Sequence, residues 1–167
     1  MDRTALFAAT LIAGALAAVG ASAQTFKPYA TEGDWKIAIN ENKGPGCVAI
    51  QHFVDPTSQV QMGIDATSGA KIGYIAILVE GAVGIAAGEK IPATFDVDGQ
   101  IFEGTFTGQQ TEGFGGATVP VNSPEFIYDL ANNKTLTVSY GEGRRVIVDL
   151  TDAGAAFASL RACQDAQ

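Results

Sequence analysis

The stretch VQMGIDATSGAKIGYIAILV, residues 60–79, is the part of the chain that decides the fold class. Apolar residues alternate with polar or small ones over its first six positions, a period of two that is typical of a β-strand with one buried face. Gly69 and Ala70 then mark a turn. Residues 72–79 are apolar in both phases of that period, as in a central strand covered on both faces. The stretch therefore predicts two strands of a larger sheet, joined by a turn.

The same strand signals continue in both directions from this stretch. Further strands are predicted over residues 35–40, 47–54, 93–97, 101–107, 117–121, 135–140 and 145–150. Asp98-Gly99 lies between two of them and is a strong hairpin signal. The stretch 80–90, rich in glycine and alanine, predicts a loop, and a second glycine-rich stretch at 113–116 precedes the strand predicted at 117–121. The chain is therefore predicted to be mainly β, as an antiparallel β-sandwich or open barrel.

Two short helices complete the predicted fold. Ser123 is a candidate N-cap, Pro124 suits the first helical position, and Glu125 lies near the positive end of the helix dipole. A second helix is predicted over residues 152–163, with Asp152 as its cap and one apolar edge at helical spacing. This last helix lies at the C-terminus.

Residues 1–23 are predicted to be a cleavable secretory signal peptide. Arg3 supplies a positive charge, residues 5–19 are almost wholly apolar, and small side chains precede the expected cleavage between Ala23 and Gln24. The alternative is a membrane anchor, but this apolar run of about 15 residues is shorter than the roughly 20 that span a bilayer. We therefore expect a periplasmic or secreted protein.

The mature part, residues 24–167, has the size of one domain with its own core. The formal net charge of the chain is −8, and removal of one Asp and one Arg with the signal leaves it unchanged. Binding to nucleic acid is not expected, because that affinity comes largely from basic side chains. Glu80 and three glycines interrupt the most apolar mature stretch, residues 72–87, so no membrane span is predicted there.

The chain has two cysteines, Cys47 and Cys163. In an exported protein an even pair normally forms a disulfide, which here would tie the C-terminal helix to the second strand. Two free thiols are the alternative. Redox catalysis is disfavoured, because the chain contains no Cys-x-x-Cys motif.

His52 is the only histidine of the chain. A Ser–His–Asp relay needs a base beside a nucleophile, and a strand histidine without a nucleophile-elbow motif is better explained as a partly buried or edge residue. In the strand register it shares a face with Val48 and Ile50. We therefore predict no catalytic residue.

Three other patterns match known motifs only in part. Asp96 to Gly99 begins like a calcium loop but lacks the EF-hand spacing. Ser68-x-x-Lys71 matches the acylation motif of penicillin-recognising enzymes without its Lys-Thr-Gly partner. The glycine spacing over residues 81–88 is not that of a phosphate or dinucleotide loop. No metal site and no cofactor are predicted.

Two groups of side chains are candidates for binding a partner. Arg144-Arg145 is the only basic concentration, and it suits an acidic or carboxylate partner, although most such pairs are solvated turns. Phe114, Tyr128 and Tyr140 are candidates to frame a groove, although core packing explains them equally well.

Several segments taken in order carry a family resemblance: GDWKI at 33–37, CVAIQ at 47–51, VDLT at 148–151 and AAFASL at 155–160. This order resembles the invasion-associated locus B family of small exported proteins from Gram-negative bacteria, chiefly alphaproteobacteria. Family members often carry further cysteines after the opening tryptophan and in mid-domain, which this chain lacks. The resemblance implies a non-enzymatic, β-rich periplasmic or surface protein, linked in pathogens to entry into host cells.

The leading hypothesis is therefore a non-catalytic periplasmic or envelope-associated interaction protein, whose partner is a protein or an envelope component. The alternative is a periplasmic binder of a small apolar ligand, because the doubly apolar strand and the glycine-rich loops suit a pocket mouth. A small hydrolase that uses His52 is a third hypothesis.

Overall fold

The computed structural model describes residues 24–54, 56–81 and 84–167. The predicted signal peptide, with Ala23, lies outside these residues. The elements in chain order are β1 (Phe26–Glu32), β2 (Trp35–Asn40), β3 (Gly46–Val54), β4 (Thr57–Asp65), β5 (Ile72–Glu80), β6 (Lys90–Val97), β7 (Gln100–Thr111), β8 (Phe114–Val121), α1 (Pro124–Asp129), β9 (Thr135–Tyr140), β10 (Arg144–Asp149) and α2 (Gly154–Asp165). Short 3-10 turns precede β3 and follow α1.

The strands form one sheet in the order β1-β2-β3-β4-β5-β8-β7-β6-β9-β10. Every neighbouring pair is antiparallel, and β1 and β10 are the two edges. The prediction of a mainly antiparallel β fold with two short helices, the last at the C-terminus, is confirmed. Neither of these helices is long and apolar enough to cross a membrane.

The inner face of the sheet is the one that packs on the main hydrophobic core. Phe106 and Phe157 are among its largest buried side chains. The rings of Trp35 on β2 and Phe157 on α2 have their centroids 5.6 Å apart. This contact seats the terminal helix on the first strands of the sheet.

The outer face carries a second buried cluster, which consists of Ala38, Val48, Ile50, Tyr74 and Ala76. Strand β5 takes part in both clusters, because Ile75 and Ile77 point into the main core while Tyr74 and Ala76 point outward. The predicted coverage of this strand on both faces is thus confirmed. Burial raises the pKa of Tyr74 well above its usual value, so its hydroxyl stays protonated and accepts a hydrogen bond from Asn40 Nδ2 at 3.3 Å.

The two helix starts differ in how well the sequence predicted them. Ser123 caps α1 as predicted, since its Oγ accepts a hydrogen bond from Glu125 N at 3.2 Å. The prediction that Asp152 caps α2 is wrong, because the N-cap is Ala153 and has no side-chain cap bond. A turn precedes it, in which Asp149 Oδ1 accepts from Thr151 N at 2.9 Å and Leu150 O accepts from Ala153 N at 3.0 Å. This turn places Ala153 at the cap position.

The glycine-rich stretch 113–116 belongs mostly to a strand, since β8 begins at Phe114. A Cβ atom on Gly116 would lie 2.0 Å from Ile77 O on the neighbouring strand β5. The glycine is therefore explained by the close approach of two strands and not by loop flexibility.

Candidate functional site

The disulfide between Cys47 on β3 and Cys163 on α2 is present, which confirms that prediction. Both residues are fully buried, and their Cα atoms are 6.1 Å apart. Next to the bridge, Cys47 N donates a hydrogen bond to Gln164 Oε1 at 2.9 Å. The bridge and this hydrogen bond fix α2 on the inner side of β3, whose opposite face carries Val48 and Ile50 of the second cluster and His52.

A cleft of about 360 Å³ opens on the outer face beside β1, β2 and β3, and we call it the phenylalanine cleft. Its apolar lining includes Phe26, Pro28, Ala38, Ile50 and Phe114. Lys36, His52 and Gln59 are polar members of the same lining. Clefts of this size and mostly apolar character are typical of sites that hold a small molecule or an apolar side chain of a partner.

Coiling of the sheet creates this cleft. Phe26 belongs to β1 and Phe114 to β8, and four strands separate these two in the sheet order. In a flat sheet, five steps between strands would put them roughly 24 Å apart. Both rings nevertheless line one cleft, so the outer face curves back on itself between these two ends.

His52 lies in the lining of the phenylalanine cleft, with an exposed side chain. It shares the outer face with Val48 and Ile50, as the strand register predicts. Partial burial and then the charge of Lys36 lower its pKa, so the imidazole is neutral at pH 7. No hydrogen bond from the described residues contributes to this pKa. A neutral ring here is suited to donate or accept one hydrogen bond with a bound group.

A buried polar residue lies on the same face as the cleft. Gln61 on β4 is completely buried, and its Nε2 donates a hydrogen bond to Gln24 Oε1 at 2.8 Å. This bond holds the segment before β1 over the outer face. Gln61 Oε1 has no hydrogen-bond partner in the described part of the chain. A buried acceptor without a donor costs about 1–3 kcal/mol of folding free energy. A ligand group that donated a hydrogen bond to Gln61 Oε1 would recover part of this cost on binding.

The carboxylates of the β6–β7 turn are occupied by the backbone. Asp96 Oδ1 accepts from Gly99 N at 2.7 Å, and the two oxygens of Asp98 accept from Lys134 N and Thr135 N at 2.8 and 2.9 Å. Asp98 and Gly99 have φ values of 49° and 91°, as in a two-residue hairpin turn. Within residues 24–54, 56–81 and 84–167, no group of three or more His, Cys, Asp or Glu is placed to hold a metal ion.

Arg144 and Arg145 border a second, more open groove of about 720 Å³ on β6, β7, β9 and β10, which we call the arginine groove. Arg145, Ser139, Thr94 and Glu103 form one row across these four strands. The groove therefore has a basic end at β10 and an acidic end at β7. Its floor is polar, unlike that of the phenylalanine cleft.

The remaining sequence candidates do not come together. Phe114 lines the phenylalanine cleft and Tyr140 borders the arginine groove, whereas Tyr128 lies 4.0 Å beneath the guanidinium of Arg161. These three aromatics thus do not frame a common groove. Ser68 lies in the exposed β4–β5 turn, where its Oγ donates to Ala70 O at 3.1 Å.

Comparison of the chain with models of known protein families, with curated proteins and with solved structures finds no match.

Proposed function

We propose that the mature chain is a non-catalytic periplasmic or envelope-associated interaction protein that holds an apolar group of its partner in the phenylalanine cleft. The observation that carries the proposal is the cleft itself, in which Phe26 and Phe114 are both only partly buried and face a cavity of about 360 Å³. The partner is a protein or an envelope component that presents an apolar side chain or an acyl group.

Export supports this proposal from two sides. The leader of residues 1–23 predicts secretion, and the Cys47–Cys163 bridge suits an oxidising compartment. The resemblance to the invasion-associated locus B family, whose members are small exported proteins without enzymatic activity, agrees with both. Lys36 at the cleft adds one positive charge, which favours partners that carry an acidic group beside the apolar one.

The experiment compares two alanine variants that differ in position. Phe114→Ala removes a ring from the cleft, whereas Ile101→Ala removes an apolar side chain that is 58 % exposed on β7, outside the cleft. The partner is first captured from envelope extract, then purified and titrated against each variant. We expect about tenfold weaker binding for Phe114→Ala and unchanged binding for Ile101→Ala. Equal binding of all three proteins would refute a role of the cleft.

A small apolar ligand is the second candidate function, favoured by the volume of the cleft, which falls within the range of small-molecule sites. Native mass spectrometry of the protein purified from the periplasm would show a bound molecule as an added mass. If the added mass is lost in Phe114→Ala and retained in Ile101→Ala, the result would support binding of a small ligand in the phenylalanine cleft. A protein with no added mass that still binds a macromolecular partner would favour the first proposal.

A further inference from the structure

Strand β10 is an edge of the sheet without the protection that the other edge has. At the opposite edge, β1 contains Pro28 and a bulge between Pro28 and Ala30, two features that hinder the addition of another strand. In contrast, β10 has the sequence RRVIVD, pairs continuously with β9 and contains neither proline nor bulge. No strand among the described residues pairs with its other side.

The backbone pattern shows which residues of β10 face this open side. Leu150 N donates to Lys134 O at 2.8 Å, in the same register as the β9–β10 pairs. Backbone groups alternate in direction along an antiparallel strand, so the even-numbered residues point theirs toward β9. Arg145, Ile147 and Asp149 therefore point their N–H and C=O groups away from the sheet.

The side chains of these three residues form a pattern that is complementary to itself. They lie on the outer face and are exposed, and Ile147 at the centre is 55 % exposed. Arg145 stands two residues before Ile147, and Asp149 stands two residues after it. A two-fold axis through Ile147 would therefore place each arginine opposite an aspartate.

We propose that β10 pairs with β10 of a second copy of this chain, in an antiparallel arrangement centred on Ile147. Ile147 then lies opposite Ile147 of the second copy, and Arg145 lies opposite Asp149 of the second copy on both sides of the axis. All backbone groups that point outward at these positions find partners in this register. The ten-stranded sheets of the two copies become one continuous sheet.

Charges near the ends of β10 favour the same arrangement. A cavity of about 250 Å³ adjoins Asp149 and is also bordered by Glu32, Asp34 and Asp152. The C-terminal end of β10 is therefore strongly acidic. The ion pairs of the described residues are Lys43–Asp65 and Arg161–Glu125, so Arg144 and Arg145 have no carboxylate partner within 4 Å in that part of the chain. In the dimer, the basic end of each strand meets the acidic end of the other.

A shifted register does not offer the same complementarity. If the axis passed through Val146, Arg145 would lie opposite Ile147 of the second copy. The two Arg145 side chains would then be diagonal neighbours, where like charges repel. The pattern of charges thus selects the register centred on Ile147.

Charge reversal tests the proposal. The mature protein and its variants Arg145→Glu and Asp149→Arg are compared by sedimentation over about a hundredfold range of concentration, since dimerisation follows mass action. We expect a concentration-dependent dimer for the unaltered chain and about tenfold weaker association for each single variant, because each places like charges opposite one another twice. The double variant Arg145→Glu/Asp149→Arg restores opposite charges and should regain the dimer. An unaltered chain that stays monomeric throughout, or a double variant no better than the singles, would overturn the proposal.

Cysteine substitution tests the register. Directly opposite residues have Cα atoms about 5.5 Å apart, within the range that a disulfide spans. Ile147→Cys should therefore give a covalent dimer on mild oxidation, whereas Arg145→Cys, whose two copies lie far from each other, should not. Equal crosslinking of both variants would contradict the two-fold axis at Ile147. The Phe114→Ala variant leaves β10 unchanged and should still form the dimer. Dimerisation through β10 is therefore tested separately from binding by the phenylalanine cleft.

Discussion

Cys47 and Cys163 join the strand β3 to the last helix across 116 positions of the chain, and the hydrogen bond from Cys47 N to Gln164 Oε1 lies beside the bridge. The bridge is attached to the inner side of the strand that carries His52 and Ile50 on its outer side. The same strand therefore anchors the helix on one face and lines the phenylalanine cleft on the other.

Loss of the disulfide should lower the stability of the domain strongly. Closing a loop of this length restricts the unfolded chain by about 4–5 kcal/mol on the chain-entropy model. We expect a decrease of this order in the free energy of unfolding in urea for the Cys47→Ala/Cys163→Ala variant. Reductant should destabilise the unaltered protein and leave the double variant unaffected, and an equal effect on both would show that the bridge is not responsible.

Phe157→Ala should open a cavity between α2 and β2. The side chain is 2 % exposed and packs on Trp35, the only tryptophan of the chain. Truncation of a buried phenylalanine typically costs 3–5 kcal/mol, so we expect about 3 kcal/mol or more here, with a shift in tryptophan emission. Asp165→Ala on the same helix, an exposed position, is the control. A loss of stability below about 1 kcal/mol for Phe157→Ala would contradict the packing described.

The β6–β7 turn should depend on one of its aspartates more than on the other. Asp98→Ala leaves Lys134 N and Thr135 N without their acceptors, whereas Asp96→Ala removes a single bond, to Gly99 N. We expect Asp98→Ala to cost about 1–3 kcal/mol in the free energy of unfolding and Asp96→Ala clearly less. Amide hydrogen exchange at residues 134 and 135 should accelerate only in Asp98→Ala.

Stability at acid pH should depend on Asp65. Partial burial by itself would raise the pKa of this carboxyl, but hydrogen bonds from Lys43 and Thr67 outweigh that effect and hold the pKa below its usual value. Because the pKa is lower in the folded state, the ionised carboxylate of Asp65 stabilises the fold at pH values above its unfolded-state pKa of about 3.9. This stabilisation is lost as the pH falls through the pKa of the folded state. Asp65→Asn should remove at most about 1 kcal/mol of this acid-sensitive stability, since the pair is partly exposed.

The measurement for Asp65 is the urea midpoint as a function of pH between about 5 and 2. Asp129→Asn, an exposed position at the end of α1, is the matched control. A midpoint that falls equally steeply in Asp65→Asn and in the unaltered protein would contradict the assignment to the Lys43–Asp65 pair.

Local patterns predicted the strands well where side chains alternate cleanly. The strand 72–79, apolar on both faces, is central as predicted, and the cap at Ser123 forms as its sequence indicates. Strand β1 was not predicted, because a bulge after Pro28 breaks its alternation and most of its residues are exposed. Its existence depends on pairing with β2, which no short window of sequence reveals.

The phenylalanine cleft could be predicted only in part. Phe114 was a sequence candidate to frame a groove. Phe26, which lines the same cleft, lies 88 positions earlier in the chain and was not a candidate. Only the coiling of the sheet brings these two together, and coiling is a property of all strands at once. The strand register predicted which face of the sheet His52 occupies. Its place in the phenylalanine cleft could not be predicted, because His52 forms no motif with residues near it in the sequence.

The most direct test of the central claim is site-specific photo-crosslinking from the phenylalanine cleft. A photoreactive phenylalanine analogue is placed at Phe114 in one protein and at Ile101 in another, and each purified protein is irradiated in the presence of envelope extract. We expect the probe at position 114 to attach to one defined protein or envelope component, whose purified form then binds the unaltered chain and not Phe114→Ala. An identical adduct from position 101, or none from position 114, would contradict a binding role for the cleft.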